Sequence, residues 1–222
     1  TKEEAASRKK LLIASTKTDE FGNFEVELDE KYSKTAFDID FVCGTVPRVP
    51  PKPRKEPLQF HLTTIYPQWR NTTGNENVFY SWAYCLSAKW WCYIRGHYFD
   101  AWVICGHMYV CGTKTPIPGV KVTALDADFL TDDNLGSAVT DANGHFRIDY
   151  TSVQFKQTFL SPWINVETDP GPGLTFQSGP DVYFKYEYNG AAIQGETAAN
   201  RRKNVGYCLC VELCLKDIIV IP

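Results

Sequence analysis

The cysteines are the residues of this chain best suited to covalent or metal chemistry, and 8 occur among its 222 residues. Five lie in two segments whose alternating pattern predicts strands: Cys105, Cys111, Cys208, Cys210 and Cys214. Residues an even number of positions apart share a face of a strand, so the cysteines of each segment lie on one face. Cys208 and Cys210 are too close along one strand to bond comfortably to each other, so any disulfide would link separate strands.

Three interpretations of these cysteines stay open. Free cysteines pack as small hydrophobic side chains when they are buried. Disulfides between strands also fit, because 8 cysteines is a high count for a reducing compartment and a low one for a disulfide scaffold. A Cys/His metal site is the third interpretation, although the sequence has no C-x-x-C pair of the kind that zinc knuckles use.

Four aspartates lie close together after a predicted strand: Asp126, Asp128, Asp132 and Asp133. Because Ca²⁺ prefers several oxygen ligands on a flexible loop, this segment is a candidate calcium site. It lacks the glycine and the terminal glutamate of an EF-hand, and a solvated acidic loop explains the same residues.

The stretch between Trp69 and Trp102 is unusually rich in aromatic side chains. Such side chains are enriched where proteins pack together. We therefore predict contacts between modules or with a partner subunit for Trp69, Trp82, Trp90, Trp91, Tyr93 and Trp102. Aromatic rings also stack on sugars, which makes a glycan platform the alternative. Nucleic acid is not expected as a ligand, because no basic stripe accompanies the rings.

No familiar catalytic motif is present. The sequence contains no G-x-S-x-G, P-loop, H-E-x-x-H or dinucleotide-binding fingerprint. Its histidines are widely spaced, at positions 61, 97, 107 and 145. We therefore predict that the chain is not an enzyme and that it needs no cofactor.

The elements that position these residues are strands. Residues 120–125 and 146–150 alternate with a period of two, which is typical of strands with one buried face. Between them, residues 141–144 supply a tight turn in which Asn143 and Gly144 tolerate a positive φ. This pattern predicts strand, acidic loop, strand, tight turn and strand over Pro116–Tyr150, with a β-hairpin at the turn.

An internal repeat sets the expected domain organisation. Residues 18–28 match residues 140–150 without a gap: Thr, Asp, Gly and Phe coincide, and Val26 aligns with Ile148. A repeated supersecondary unit of this kind implies two modules. Because the first copy lies close to Thr1, we expect the first module to lack its opening strands.

We predict three regions along the chain. Residues 1–66 are the C-terminal part of a first module, residues 67–101 are an aromatic-rich connecting segment, and residues 102–222 are a second module. Residues 46–57 form a proline-rich connector, because proline fixes φ and lacks a backbone donor. Further strands are predicted over residues 34–43, 58–66, 102–112, 162–167, 181–188 and 206–220.

Four motifs follow one another in the second module: Ile104-Cys105-Gly106, Pro116-Ile117-Pro118-Gly119-Val120-Lys121-Val122, Asp126-Ala127-Asp128 and Thr140-Asp141-Ala142-Asn143-Gly144-His145-Phe146. Their succession resembles the transthyretin-like and carboxypeptidase regulatory-like superfamily. The resemblance covers residues 102–188 well and residues 11–43 by their second half only. It implies an all-β fold of tandem Greek-key β-sandwich (prealbumin-like) modules, the first incomplete at its N-terminus. It also implies a structural, adhesive or spacer role.

The enzymes of this superfamily have signatures that the chain lacks. Hydroxyisourate hydrolases carry a C-terminal Tyr-Arg-Gly-Ser, whereas this chain ends in Asp-Ile-Ile-Val-Ile-Pro. Intradiol dioxygenases bind iron through two tyrosines and two histidines, with the histidines paired as His-x-His, and this sequence has no such pair. Because tyrosine and histidine are both present, an iron-dependent intradiol-type dioxygenase is the least favoured alternative.

These patterns predict a non-catalytic structural or interaction module of a larger surface, secreted or assembly protein. Its expected partners are other protein subunits or domains of the same chain, including a second copy in a homo-oligomer. The alternative is a module that binds glycans or small ligands. The net charge of -3 gives no reason to expect nucleic acid, and no run approaches the roughly 18 apolar residues that cross a bilayer. The expected location is extracellular or at the cell surface, with a cytoplasmic assembly protein as the alternative.

Overall fold

A computed structural model describes residues 11–46, 57–71, 78–128, 131–155 and 179–216. These residues are mostly β, which confirms the all-β prediction at the level of secondary structure. They form two compact units. The first contains residues 11–43, 58–71 and 78–84, and the second contains residues 44–46, 57, 85–128, 131–155 and 179–216. The strand predicted over residues 162–167 lies outside the described residues.

The first unit has two longer strands, two very short ones and few buried hydrophobic side chains. Its elements are a 3₁₀ turn over Glu30–Tyr32, β1 (Phe37–Cys43), β2 (Leu58–Ile65), β3 (Arg70–Asn71) and β4 (Val78–Phe79). β1 pairs antiparallel with β2, and β3 pairs antiparallel with β4. Among the described hydrophobic side chains of this unit, only Phe37 and Cys43 are buried. Since an isolated two-stranded sheet is marginally stable in water, these pairings alone give the unit little stability.

The second unit contains two sheets and a short helical segment. Its elements are α1 (Ala88–Tyr93), a π-helical turn (Ile94–Tyr98), β5 (Trp102–Val110), β6 (Val120–Asp126), β7 (Asp133–Val139), β8 (His145–Tyr150), a 3₁₀ turn (Ser152–Gln154), β9 (Val182–Tyr188), β10 (Ala191–Ile193), a 3₁₀ turn (Ala198–Asn200) and β11 (Cys208–Leu215). One sheet is antiparallel, in the order β10-β9-β6-β7. The other has the order β11-β5-β8, with β11 parallel to β5 and β8 antiparallel to it. In the part of the chain that the structure describes, no helix is long and apolar enough to cross a membrane.

Both sheets of the second unit contribute side chains to one hydrophobic core. Its members include Trp102, Ile104, Met108, Val120, Val122, Leu135, Phe146, Ile148, Tyr150, Val182, Phe184 and Leu213. Successive side chains of a strand point to opposite faces, and the burial of β6 and β8 follows the alternation that their sequences predict. The opposite face of the β11-β5-β8 sheet is consequently left for polar residues and cysteines.

The tight turn at Asp141–Gly144 forms as predicted, but the β-hairpin does not. The backbone N–H of Asp141 donates a 2.9 Å hydrogen bond to the carbonyl oxygen of His145, which closes the turn. β7, before the turn, pairs with β6, whereas β8, after it, pairs with β5 in the other sheet. The turn therefore leads the chain from one sheet to the other.

The repeated turn motif has the same hydrogen bonds in both units. The backbone N–H of Asp19 donates to the carbonyl oxygen of Asn23 over 2.9 Å, as Asp141 does to His145. In both copies, the Oδ1 atom of the aspartate accepts from the backbone N–H groups two and four positions later. The following segments differ, because residues 145–150 form β8 whereas residues 24–28 form no strand.

Candidate functional site

The outer face of the β11-β5-β8 sheet concentrates the reactive side chains of the second unit. Three rows of aligned residues cross it: Cys208–Val103–Asp149, Cys210–Cys105–Arg147 and Glu212–His107–His145. Because each strand turns alternate side chains outward, the even spacing of the cysteines places all of them on this face. The sequence pattern thus predicted the shared face within each strand, and the pairing of β5 with β11 brings the two sets together.

Two disulfides tie β11 to the rest of the unit. Cys92, in α1, is bonded to Cys208 at the start of β11, and Cys111, just after β5, is bonded to Cys214 near the end of β11. The Cα atoms of the two pairs are 5.7 and 5.0 Å apart, within the usual range for disulfides. This edge strand is therefore cross-linked at both ends.

The disulfides use three of the five cysteines that the sequence singled out: Cys111, Cys208 and Cys214. The fourth bonded cysteine, Cys92, was missed because it lies in a helix, where strand alternation gives no signal. Cys105 and Cys210, the other two, are not bonded.

Cys105 and Cys210 face each other as thiols. Their Sγ atoms are 2.9 Å apart, and either can donate a hydrogen bond to the other. Cys210 is exposed, while Cys105 is half-buried. Burial, together with the adjacent thiol, raises the pKa of Cys105 to about 12. At neutral pH the Cys105 thiol is therefore protonated, and the pair is open to oxidation or to a soft ligand.

An ion-pair network lies beside the thiols. Asp149 accepts two hydrogen bonds from Arg147, of 2.7 and 2.9 Å, and one of 3.0 Å from Arg95. Arg95 is 3% exposed, and Asp149 provides a counter-charge for its buried guanidinium. The hydrogen bonds to Asp149 raise the pKa of Arg147, which therefore stays cationic. Because Arg147 lies opposite Cys105 in the register, its charge favours the thiolate form of that cysteine.

A groove of about 350 Å³ opens over the middle of this face. Both thiols line it, together with His107, His145 and Glu212. The Nδ1 atom of His107 lies 3.5 Å from the Oε1 atom of Glu212, and the His107 and His145 rings are tilted towards each other with centroids 5.2 Å apart. The groove thus presents two thiols, two imidazoles and a carboxylate to solvent.

The aspartates predicted as calcium ligands lie around the end of β6 and the start of β7, and two of them accept hydrogen bonds from the protein. Asp126 is buried and accepts a 2.6 Å hydrogen bond from a backbone N–H, and it is aligned with Asp133 between β6 and β7. Asp132 accepts a hydrogen bond from the hydroxyl of Tyr183. Burial and the neighbouring carboxylates raise the pKa of Asp126 to about 6 and also raise that of Asp128. Within the described ranges, no three His, Cys, Asp or Glu side chains are grouped to hold a metal ion.

The aromatic residues predicted to contact partners are divided between the two units. The prediction is wrong for Trp102, which is 2% exposed and packs in the core against Tyr150 and Tyr207. A side chain so buried is unavailable to a partner. Trp90 is 59% exposed and Tyr93 41% exposed, so the rings that reach the surface of the second unit belong to α1.

The other predicted aromatic residues are partly buried. In the first unit, Trp69 donates through Nε1 to the carbonyl oxygen of Ser33 over 2.7 Å, and Trp82 stacks on Tyr84. In the second unit, Trp91 is half-buried within α1. Stacking and hydrogen bonding within each unit therefore account for part of the aromatic enrichment.

No protein-family model matches the chain, and no curated protein matches its sequence. Among solved structures, the chain is similar to a 9R-lipoxygenase from Cyanothece PCC8801, with 19% identity and a TM-score of 0.32 over 53% of this chain and 16% of that one. It is also similar to the dioxygenase domain of a dioxygenase carbohydrate-binding protein fusion from Streptomyces sp. SirexAA-E. That match has 14% identity and a TM-score of 0.30, over 53% of this chain and 80% of that domain.

These matches correct the prediction that the chain is not an enzyme. One of the similar structures is a lipoxygenase and the other is a dioxygenase domain. A sequence without a familiar catalytic motif does not by itself place a chain outside the enzymes. At this level of similarity, neither match assigns a substrate or a catalytic residue to this chain.

Proposed function

We propose that this chain is a β-sandwich module of the transthyretin-like type in a larger extracellular or cell-surface protein, and that it packs against other protein subunits. Two sheets that share one core support the sandwich architecture. The disulfides Cys92–Cys208 and Cys111–Cys214 support an oxidising compartment, because cytosolic thiols are usually kept reduced.

The observation that carries the proposal is the different burial of one sequence motif in the two units. After the turn in the second unit, Phe146, Ile148 and Tyr150 are 1%, 3% and 1% exposed. After the equivalent turn in the first unit, Phe24 and Val26 are 49% and 38% exposed. Phe24 meets the ring of Trp82 edge-on, with centroids 6.3 Å apart, yet about half of its surface stays exposed. A row of partly exposed apolar side chains is typical of a surface that a protein partner covers.

The partner that fits this segment is a second copy of the chain. Residues 24–28 read Phe-Glu-Val-Glu-Leu, so their apolar side chains alternate with carboxylates. Two such segments paired antiparallel around Val26 would bring Phe24 opposite Leu28 on one face. The pairing is self-complementary and closes as a two-fold dimer. The two glutamates would face each other across the pair on the solvent side, where like charges weaken the contact.

Sedimentation velocity tests this proposal. The 222-residue chain should show a concentration-dependent equilibrium between monomer and dimer. Val26→Asp should remain monomeric, because it places a carboxylate at the centre of the pairing. The control Val139→Asp adds the same charge at a 61% exposed position of the second unit and should dimerise like the unmodified chain. An unmodified chain that stays monomeric at every concentration, or two variants that behave alike, would contradict the proposal.

Binding of glycans or other small ligands is a second candidate function, favoured by the exposure of Trp90. Its indole ring is 59% exposed and meets the ring of Tyr93 edge-on, with centroids 6.1 Å apart. A rigid, exposed indole offers an apolar face to a sugar ring. Trp90→Ala should abolish binding to a glycan array, whereas Tyr66→Ala, at a 72% exposed position of the first unit, should leave it unchanged.

A further inference from the structure

Cys105 and Cys210 are aligned partners in the parallel pairing of β5 and β11. Their Sγ atoms are 2.9 Å apart. A disulfide needs its two residues at a short Cα separation with side chains directed towards each other. Aligned positions on paired strands meet that condition. The two thiols can therefore form a disulfide by rotation of their side chains, without movement of the backbone.

The two existing disulfides lie on the same face, on either side of this pair along β11. Cys208 precedes Cys210 and Cys214 follows it. β11 is consequently held beside β5 whether Cys105 and Cys210 are bonded or not. The central pair can therefore open and close without releasing the strand, which distinguishes it from the two flanking bonds.

The two thiols differ in their access to solvent. Cys210 is exposed at the groove, while Cys105 is half-buried and its pKa is raised to about 12 by burial and by the neighbouring thiol. Thiol–disulfide exchange begins with attack by an accessible thiolate. Cys210 is thus suited to attack an incoming molecule, and Cys105, beside Arg147, is suited to resolve the product.

We propose that Cys105 and Cys210 form a thiol–disulfide exchange site that reduces low-molecular-weight disulfides. The Cys210 thiolate attacks one sulfur of the disulfide RSSR, whose S–S bond breaks. A mixed disulfide forms on Cys210, and the first RS⁻ leaves and takes up a proton. The Cys105 thiolate then attacks the Cys210 sulfur and displaces the second RS⁻, which is also protonated. RSSR gains two electrons and two protons, and the protein loses them as the Cys105–Cys210 disulfide forms.

The groove over the pair suits a small, charged reactant. Its volume is about 350 Å³, and His107, His145 and Glu212 line it beside the thiols. A peptide-like disulfide carries carboxylate and ammonium groups that complement imidazole and carboxylate side chains. Oxidised glutathione has this chemistry and is the probe for the site.

The test uses the full chain with Cys85→Ser, which removes an exposed thiol outside the pair. Each molecule of oxidised glutathione consumed should remove two protein thiols and release two molecules of reduced glutathione. Peptide mapping should then show a Cys105–Cys210 link. Excess reduced glutathione should reopen that link and leave Cys92–Cys208 and Cys111–Cys214 intact.

Two single variants separate the steps. Cys105→Ser should keep one glutathione bonded to Cys210, because no resolving thiol remains, and Cys210→Ser should lose the reaction. Circular dichroism checks that each variant is folded. The peptide mapping of the Cys85→Ser chain tests the proposal even if one of these variants does not fold. The proposal is overturned if glutathione stays on Cys210 when both thiols are present, or if both thiols can still be alkylated after the oxidant is added.

Discussion

The hydroxyl of Thr140 donates a 2.7 Å hydrogen bond to the carbonyl oxygen of Ile117 and accepts one of 2.9 Å from the backbone N–H of Val120. Thr140 is 4% exposed, so water is poorly placed to replace these bonds. We predict that Thr140→Val, which keeps the shape of the side chain, lowers the free energy of unfolding of the second unit by about 2 kcal/mol. The reason is that a buried donor and a buried acceptor lose their partner.

Chemical denaturation measures this loss. The control is Thr123→Val, at a half-buried position in the middle of β6. It makes the same chemical change away from the hydrogen bonds of Thr140. It should alter the free energy of unfolding by less than about 0.5 kcal/mol. Equal losses in the two variants would refute the importance of the Thr140 hydroxyl.

The glycines of the two equivalent turns should respond differently to alanine. Both have positive φ, +85° at Gly22 and +71° at Gly144, so alanine introduces backbone strain of about 1 kcal/mol at each. A Cβ on Gly144 would also lie 2.4 Å from the carbonyl oxygen of Met108, whereas one on Gly22 would meet nothing within 4 Å. We predict a loss of about 3 kcal/mol for Gly144→Ala and about 1 kcal/mol for Gly22→Ala. Denaturation that follows each unit separately measures the two losses, and a larger effect at Gly22 would contradict the geometry.

The Cys111–Cys214 bond should make a large contribution to stability. It joins residues separated by 103 positions, and a cross-link of that span restricts the unfolded chain strongly. Replacing both cysteines by serine should lower the free energy of unfolding by about 3 kcal/mol, which thermal unfolding of the variant detects. Cys85→Ser, at an exposed cysteine outside the disulfides, should leave the melting temperature unchanged. If the double variant had the same melting temperature as the unmodified chain, the predicted contribution of this bond would be disproved.

Asp126 should make the second unit less stable as the pH rises. Burial raises the pKa of its carboxyl to about 6 in the folded chain, above the value of about 3.9 for an unfolded aspartate. Between these values the folded state binds more protons than the unfolded state, so the free energy of unfolding falls as pH increases through this window. The loss is complete above the folded pKa, and two pKa units correspond to at most about 3 kcal/mol.

Asp126→Asn isolates this effect, because asparagine has no charge to lose and its carbonyl oxygen can still accept the backbone hydrogen bond. Denaturation between about pH 4 and pH 7 should show a shallower pH dependence in this variant than in the unmodified chain. Asp38→Asn, at an exposed position of the first unit, should leave the dependence unchanged. If the profile of Asp126→Asn matched that of the unmodified chain, the buried carboxyl would not be its source.

Alternation in the sequence predicted where the strands lie, but not which strands pair. The predicted segments at 34–43, 58–66 and 181–188 contain β1, β2 and β9, because a half-buried strand imposes a period of two on its own residues. The turn at Asp141–Gly144 was also predictable from its residue types. The sequence did not predict that this turn leads from one sheet to the other, because that depends on the hydrogen bonds between β8 and β5.

The candidate site was predictable in the same partial way. The even spacing of the cysteines predicted that those of each strand share one face. The contact between Cys105 and Cys210 could not be predicted, because it joins residues 105 positions apart in the sequence. Cys92 gave no strand signal because it lies in α1. The burial of Trp102 was missed because aromatic enrichment is typical of cores as well as of interfaces.

The bond between Cys92 and Cys208 also determines how the second unit carries mechanical tension. It joins positions 116 residues apart in the sequence. A pull applied along the backbone from either side of the unit would pass through this bond, and the intervening residues would bear no load. Fully extended, they would span roughly 400 Å. Under oxidising conditions the unit therefore gains little length even when a force unfolds it, whereas after reduction of its disulfides the same unfolding would release this length.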